Sequence, residues 1–236
     1  MVKRSVLLVV LLLLAGLLLT SCGPKEPEGE QVGEEEGSKY GGILRFAYYA
    51  PTNTDPAFLS TVADEHIARQ WAEYLVFVDE ENRPDPNRSV AESWDVSEDG
   101  LLWTFKLRQG IKFHDGKEMT SRDVKFTFDR LRDPEIGAAT VTTYANIVDI
   151  TTPDDYTVVF QLENPNPDFL MDLFDYHALI VDADQTDFNT TFNGTGPFIV
   201  DRYIPEDRIV FKRVPSIIFR KFIYPPGRHQ LTSSYF

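Results

Sequence analysis

A lone cysteine, Cys22, is the feature that most constrains how this chain can fold. One thiol cannot form an intramolecular disulfide, so the fold has to rest on a buried apolar core. Cys22 follows an uncharged run from Val6 to Leu19, which is itself preceded by Lys3 and Arg4. This order is typical of a signal peptide, and the run is shorter than the ~20 residues that a membrane-spanning helix needs. The sequence therefore predicts an exported protein with a signal peptide over residues 1–21.

The residues around Cys22 indicate how the exported chain is held. Leu19-Thr20-Ser21-Cys22 resembles the bacterial lipobox, in which the cysteine carries a lipid and becomes the first mature residue. This interpretation places the protein at the outer face of the cytoplasmic membrane or in the periplasm. A plain secretory signal, or an uncleaved anchor with a chance cysteine, remains an alternative. Residues 22–40 are rich in Gly, Pro and Glu and are predicted to form a disordered linker.

Acidic residues dominate the composition. The chain has 37 Asp and Glu against 23 Lys and Arg, a formal net charge of -14 and a sequence pI near 4.7. Binding of nucleic acid needs a basic patch that displaces counterions, and none is visible. Nucleic acid is therefore excluded as a partner, and membrane association is predicted to depend on the acyl chain rather than on a basic face.

Hydrophobic periodicity and turn residues predict a mixture of hairpins and isolated helices. A β-hairpin is predicted around Asp99-Gly100, with alternating apolar residues from Trp94 to Leu107 that form part of the core. Further strands are predicted over 43–49, 147–151, 157–162, 178–181, 198–203 and 208–213, and helices over 64–75, 121–131 and 167–174. This order favours an α/β or mixed-sheet protein with α+β local texture.

The segment from Ala91 to Lys117, which ends in His114-Asp115-Gly116-Lys117, carries a family resemblance. It is similar to the signature of family 5 extracellular solute-binding proteins, the oligopeptide-, dipeptide- and nickel-binding components of ABC importers. Three further segments fit that family in the same order: Thr54-Asp55-Pro56, Thr120 to Val124, and Gly194-Thr195-Gly196-Pro197-Phe198. The resemblance implies an α/β, periplasmic-binding-protein-like (type II) bilobed fold. It also implies a peptide or similar small solute enclosed between the lobes, and ABC permease subunits as partners.

The resemblance extends over residues 41–215 and is lost after Pro215. Residues 216–236 form a divergent, basic tail, whereas the family continues to roughly twice this length. We therefore expect only the N-terminal lobe portion of the fold, and a truncated chain that does not hold solute tightly, because a tight pocket buries most of its ligand.

Candidate ligand-binding residues follow from the resemblance, which places two segments at the cleft. These are the segment after the first strand together with the start of the next helix, and the segment before the strand at Leu179. They supply Tyr49, Asp64, Glu65, His66, Tyr176 and His177. Capping of a helix N-terminus is an alternative role for Asp64 and Glu65. An ordinary surface or core position is the alternative for His66 and His177.

Catalytic patterns are absent from the sequence. It has no Gly-x-Ser-x-Gly elbow, and its four histidines show no paired metal-ligand spacing. We therefore predict a binding protein without metal or cofactor rather than an enzyme. A surface lipoprotein with a glycoside-hydrolase-like or purely structural role remains the alternative, because any two carboxylates could in principle act as a pair.

Overall fold

The computed structural model describes residues 43–45 and 47–214. The predicted signal peptide (1–21), the linker (22–40) and the divergent tail (216–236) lie outside the described residues. The strand predicted over 43–49 is not formed by its described members, and Ile43, Leu44 and Tyr49 are exposed. The apolar pattern of this stretch was therefore misleading, because a strand also needs a neighbouring strand, and none is formed with the described residues 43–45 and 47–49.

The described chain contains six strands and three α-helices. The strands are β1 (Ala91–Val96), β2 (Leu102–Leu107), β3 (Ile147–Asp154), β4 (Thr157–Leu162), β5 (Phe198–Ile204) and β6 (Arg208–Arg213). The helices are α1 (Val62–Trp71), α2 (Ser121–Arg132) and α3 (Phe169–Asp172), and a 3-10 helix spans Pro56–Phe58. None of the helices among the described residues is long and apolar enough to cross a bilayer.

Two antiparallel sheets organise these elements. The first has the strand order β1-β2-β4-β3, and the second is the β5-β6 hairpin. The predicted hairpin at Asp99-Gly100 is confirmed, with Trp94 opposite Phe105 and Val96 opposite Trp103. Gly100 has a φ of 73°, a conformation that glycine adopts without steric cost, and it closes this turn. The strand predicted over 178–181 is reduced to a single bridge between Tyr74 and Leu179.

The larger core lies between the four-stranded sheet and α2. The Phe128 ring of α2 meets the rings of Tyr144 and Phe160 at centroid distances of 5.3 and 5.1 Å. Trp103 and Phe105 of β2 are buried in the same cluster, as their alternation in the sequence predicts. The α2 helix begins after Thr120, whose backbone N–H donates to the Asp123 carboxylate at 2.8 Å.

A smaller apolar cluster joins α1 to the β5-β6 hairpin. Trp71 of α1 lies at its centre, with Leu179 buried beside it, and Val200 and Phe211 of the hairpin pack against it. A two-stranded hairpin is only marginally stable by itself. The hairpin therefore depends on its contact with α1, which also positions the loop in front of that helix.

Candidate functional site

Asp64 fixes the loop that precedes α1. The helix begins at Val62 with Thr61 as N-cap, two residues before the predicted start, and Asp64 completes a capping box with Thr61. The Asp64 carboxylate also accepts hydrogen bonds from the backbone N–H of Thr52 at 2.6 Å and of Ser60 at 2.9 Å. Burial raises the pKa of Asp64, but these hydrogen bonds outweigh it and lower the pKa to about 2. One buried carboxylate therefore holds both ends of the loop over residues 52–61.

His177 supports the same loop from a different part of the chain. Its buried imidazole lies between two acceptors, the Leu59 carbonyl at 2.8 Å from Nε2 and the Asp175 carboxylate at 2.6 Å from Nδ1. Tyr176 is 38% exposed, and its ring lies 3.9 Å from the His177 ring. The two segments that the sequence placed at a common site do meet, and the contact passes through His177.

An exposed aromatic face stands beside this fixed loop. We define the aromatic face as Tyr48, Tyr49, Val62 and His66. The Tyr48 ring stacks on His66 at 5.5 Å with an interplanar angle of 25°, and the Tyr48 hydroxyl lies 2.6 Å from His66 Nδ1. Tyr49 contacts Tyr48 edge-on at 6.1 Å and is itself 83% exposed. Val62 precedes His66 by one helical turn and is also exposed.

The six predicted site residues differ in burial and in the use of their polar atoms. Asp64 and His177 are buried, and their polar atoms are used within the protein. Glu65 is paired with Arg69 at 3.0 Å along the helix. The other predicted residues, Tyr49, His66 and Tyr176, keep exposed surface. Ligand contact by these side chains stays a prediction.

Tyr48 was missed by the sequence reasoning. In a strand, Tyr48 and Tyr49 would point to opposite faces, so only one of them could reach a cleft. Because the described residues of this stretch form no strand, both rings remain on the surface and Tyr48 packs against His66. The sequence signal that could have indicated this surface is the pair of adjacent tyrosines, Tyr48 and Tyr49, shortly before Pro51.

The His114-Asp115-Gly116-Lys117 turn holds the loop that leads into β5. His114 Nε2 lies 2.9 Å from the Gly196 carbonyl oxygen, and the His114 backbone N–H donates to the Gly194 carbonyl at 2.9 Å. A Cβ at Gly194 would lie 2.0 Å from the Trp71 carbonyl oxygen, and one at Gly196 would lie 2.5 Å from the Trp71 carbonyl carbon. The Gly-Thr-Gly-Pro segment is therefore a close-packed entry to a strand rather than a phosphate loop, which would be followed by Lys-Ser or Lys-Thr.

Glu73 carries an unusual carboxyl group next to this entry loop. The residue is only half-buried, but its Oε2 is buried and has no hydrogen-bond partner within good geometry among the described residues. The neighbouring Thr195 Oγ1 is likewise buried, and it approaches the Glu73 carboxyl without forming a well-aligned hydrogen bond. Burial raises the pKa of Glu73 to about 8, which the Thr195 hydroxyl offsets only in part. Over residues 43–45 and 47–214, no group of His, Cys, Asp or Glu is arranged to hold a metal ion.

Comparisons with known proteins identify the family and the fold of the chain. The sequence profile described as "Bacterial extracellular solute-binding proteins, family 5 Middle" matches residues 85–221, more than half of the chain. A candidate ABC transporter peptide-binding protein of Brucella ovis is 34% identical over 152 residues, which is 60% of this chain and 27% of that protein. Di/tripeptide-binding protein 1 of Pseudomonas aeruginosa is 32% identical over 190 residues, which is 69% of this chain and 35% of the relative.

A solved structure shows the same fold. The PBP AgaA from A. tumefaciens R10, in complex with agropinic acid, matches with a TM-score of 0.66 and 28% identity, over 75% of this chain and 35% of that chain. The chain therefore spans about a third or less of the length of each of these proteins. Its described part is an α/β portion of a periplasmic-binding-protein fold, and the chain belongs to the bacterial extracellular solute-binding proteins of family 5.

Proposed function

We propose that this chain is part of the solute-binding component of an ABC importer and that its solute is a peptide. The observation that carries the proposal is the aromatic face, which is exposed and stands beside a fixed loop. The buried Asp64 carboxylate accepts from the Ser60 N–H of that loop, and the buried His177 ring lies against its Leu59 carbonyl. Binding residues on a rigid support lose little conformational entropy when they meet a ligand. The names of the relatives favour peptide over other solutes, since both include peptide binding.

Lipid attachment at Cys22 is part of the same proposal. The uncharged run followed by Leu19-Thr20-Ser21-Cys22 supports it, and so does the absence of any other cysteine. The proposed anchor and linker keep the binding portion outside the cytoplasmic membrane, where the permease subunits of an importer receive solute. The relatives are named as binding proteins, so the comparisons give no support to a hydrolase.

The test is a titration followed by protein NMR, which detects weak as well as tight binding. The full chain is titrated with di- and tripeptides, and with agropinic acid because a similar structure contains it. We expect saturable shifts at Tyr48, Tyr49 and His66 with peptides. Saturable binding of agropinic acid alone would change the solute class, and the absence of shifts with every ligand would refute the proposed function.

A further inference from the structure

Three acidic side chains on the segments that carry or support the aromatic face, Asp64, Glu65 and Asp175, are paired within the described part of the protein. Glu65 is bound by Arg69, and the Arg69 guanidinium also lies 5.6 Å from the centre of the Tyr74 ring. The Asp64 carboxylate is filled by backbone donors, and Asp175 is bound to His177. A ligand that approaches this face therefore meets rings and an apolar side chain, while the neighbouring charges are used elsewhere.

Charged ligand groups are disfavoured at such a surface. A ligand charge that meets the face loses part of its hydration. An anion finds its cationic neighbour Arg69 already paired, and a cation over an exposed ring regains only about 0.5 to 1 kcal/mol. An aromatic side chain gains more free energy from stacking or edge contact with the rings than it loses in hydration. Because Glu65 and Asp175 are already paired, the face favours an aromatic side chain of a ligand over a charged one.

Tyr49 has the largest free surface of the face. Tyr48 and His66 are held against each other by stacking and by their short hydrogen bond, so this pair has a fixed position on the surface. Among residues 43–45 and 47–214, Tyr49 makes an edge contact with Tyr48 of this pair, and it leaves 83% of its own surface exposed. A second ring can therefore pack on Tyr49 without displacing any contact of the protein.

We propose that the aromatic face binds an uncharged aromatic side chain of the peptide, and that Tyr49 determines this specificity. The inference rests on the proposed function, since it names the part of a peptide that this half of the site recognises. The charged ends of the peptide are recognised elsewhere. Tyr48 and His66 are positioning residues, because they fix the surface against which the ligand ring lies.

The test compares three tripeptides that differ only in the central residue: Ala-Phe-Ala, Ala-Asp-Ala and Ala-Lys-Ala. We expect Ala-Phe-Ala to bind about tenfold more tightly than either charged peptide, the ratio that a favourable ring contact supplies. Tyr49→Ala should remove this preference and leave the weaker binding of the charged peptides unchanged. Tyr49→Phe should retain it, because the ring and not the hydroxyl makes the contact.

The controls separate this inference from the proposed function. Val210→Ala changes an exposed apolar residue on β6, outside the aromatic face, and it should alter no peptide affinity. Equal binding of the three peptides, or an equal loss for all three in Tyr49→Ala, would overturn the inference while peptide binding stands. If none of the peptides bound, the proposed function and the inference would both fail. Circular dichroism of each variant checks that the fold is intact.

Discussion

Gly196 donates its backbone N–H to the Trp71 carbonyl at 2.9 Å, so the entry to β5 is hydrogen-bonded directly to the end of α1. A Cβ at Gly194 would also collide with the Trp71 backbone. This contact joins the hairpin to the helix that carries Asp64 and His66. The integrity of the candidate site therefore depends on two glycines outside it.

The first prediction concerns this close approach. Gly194→Ala would place a methyl group 2.0 Å from the Trp71 carbonyl oxygen, so backbone has to move. Overpacking typically costs ~1 to 3 kcal/mol, and we expect the upper end of that range because backbone is less adaptable than a side chain. Thermal unfolding of the variant measures the loss. Thr195→Ser, which keeps the hydroxyl in the same loop, is the control, and equal stability of the two variants would contradict the close packing.

The second prediction concerns Trp103, which is 7% exposed and lies with its ring centre 5.6 Å from that of Phe169. Trp103→Ala should lower the free energy of unfolding by about 3 to 5 kcal/mol, because the large buried ring leaves a cavity. Chemical denaturation gives this value. Trp94→Ala on the neighbouring strand is the matched control, since Trp94 is only half-buried. A smaller loss at Trp103 than at Trp94 would show that the core is not centred on β2.

The third prediction is a dependence of stability on pH through Glu73. Burial raises its pKa from 4.5 to about 8, so the unfolded chain releases this proton at lower pH than the folded chain. Stability should therefore fall as the pH rises from 4.5 to 8 and then level off, by on the order of 5 kcal/mol for this group. Glu73→Gln should remove that slope and stabilise the protein at pH 8.

The measurement for Glu73 is a series of melting curves between pH 4 and pH 9. Glu80→Gln is the control, because Glu80 is an exposed glutamate in the turn that follows the same segment. The control should retain the slope of the parent protein. Parallel curves for Glu73→Gln and the parent would mean that the Glu73 carboxyl is not buried.

The fourth prediction concerns Asp64. Burial raises its pKa, the hydrogen bonds from Ser60 and Thr52 lower it more, and the result is about 2. The charged form therefore contributes stability above pH 3.8, and this contribution is lost as the pH falls through 2. Asp64→Ala should cost about 3 kcal/mol, because several backbone donors lose their acceptor. Hydrogen exchange over residues 52–61 should accelerate as well.

Glu65→Gln is the control for Asp64. It breaks only the partly exposed pair with Arg69, which is expected to contribute less than ~1 kcal/mol. The comparison separates a carboxylate that organises a loop from one that lies on the helix surface. Asp64→Ala and Glu65→Gln proteins of equal stability would show that Asp64 is dispensable for the loop.

The fifth prediction concerns the proposed lipid attachment. Cys22→Ser removes the thiol to which a diacylglycerol would be transferred, so the protein should be released from membranes or remain an unprocessed precursor. Membrane fractionation and the mass of the product distinguish these outcomes from the parent protein. Ser21→Ala keeps a small residue before the cysteine and should behave like the parent. A Cys22→Ser protein that is processed and fractionated normally would refute the anchor.

Local patterns in the sequence determined much of the fold. The hairpin at Asp99-Gly100 and the helix after Thr120 are where turn and cap residues place them, because these features depend on neighbouring residues. The burial of Trp103 followed from alternation for the same reason. The family could also be predicted from the sequence, because its signature consists of local turns and strands of this kind.

Tertiary structure decided what the candidate site residues do. Asp64 and His177 are 113 positions apart in the chain numbering, and only folding shows that both are used to hold one loop. The lost strand over 43–49 and the pairing of Tyr48 with His66 likewise depend on which partners are present in space. The sequence alone determined which side chains were available. Long-range hydrogen bonds, which form only in the folded protein, made Asp64 and His177 buried supports, whereas Tyr49 and Tyr176 remain exposed.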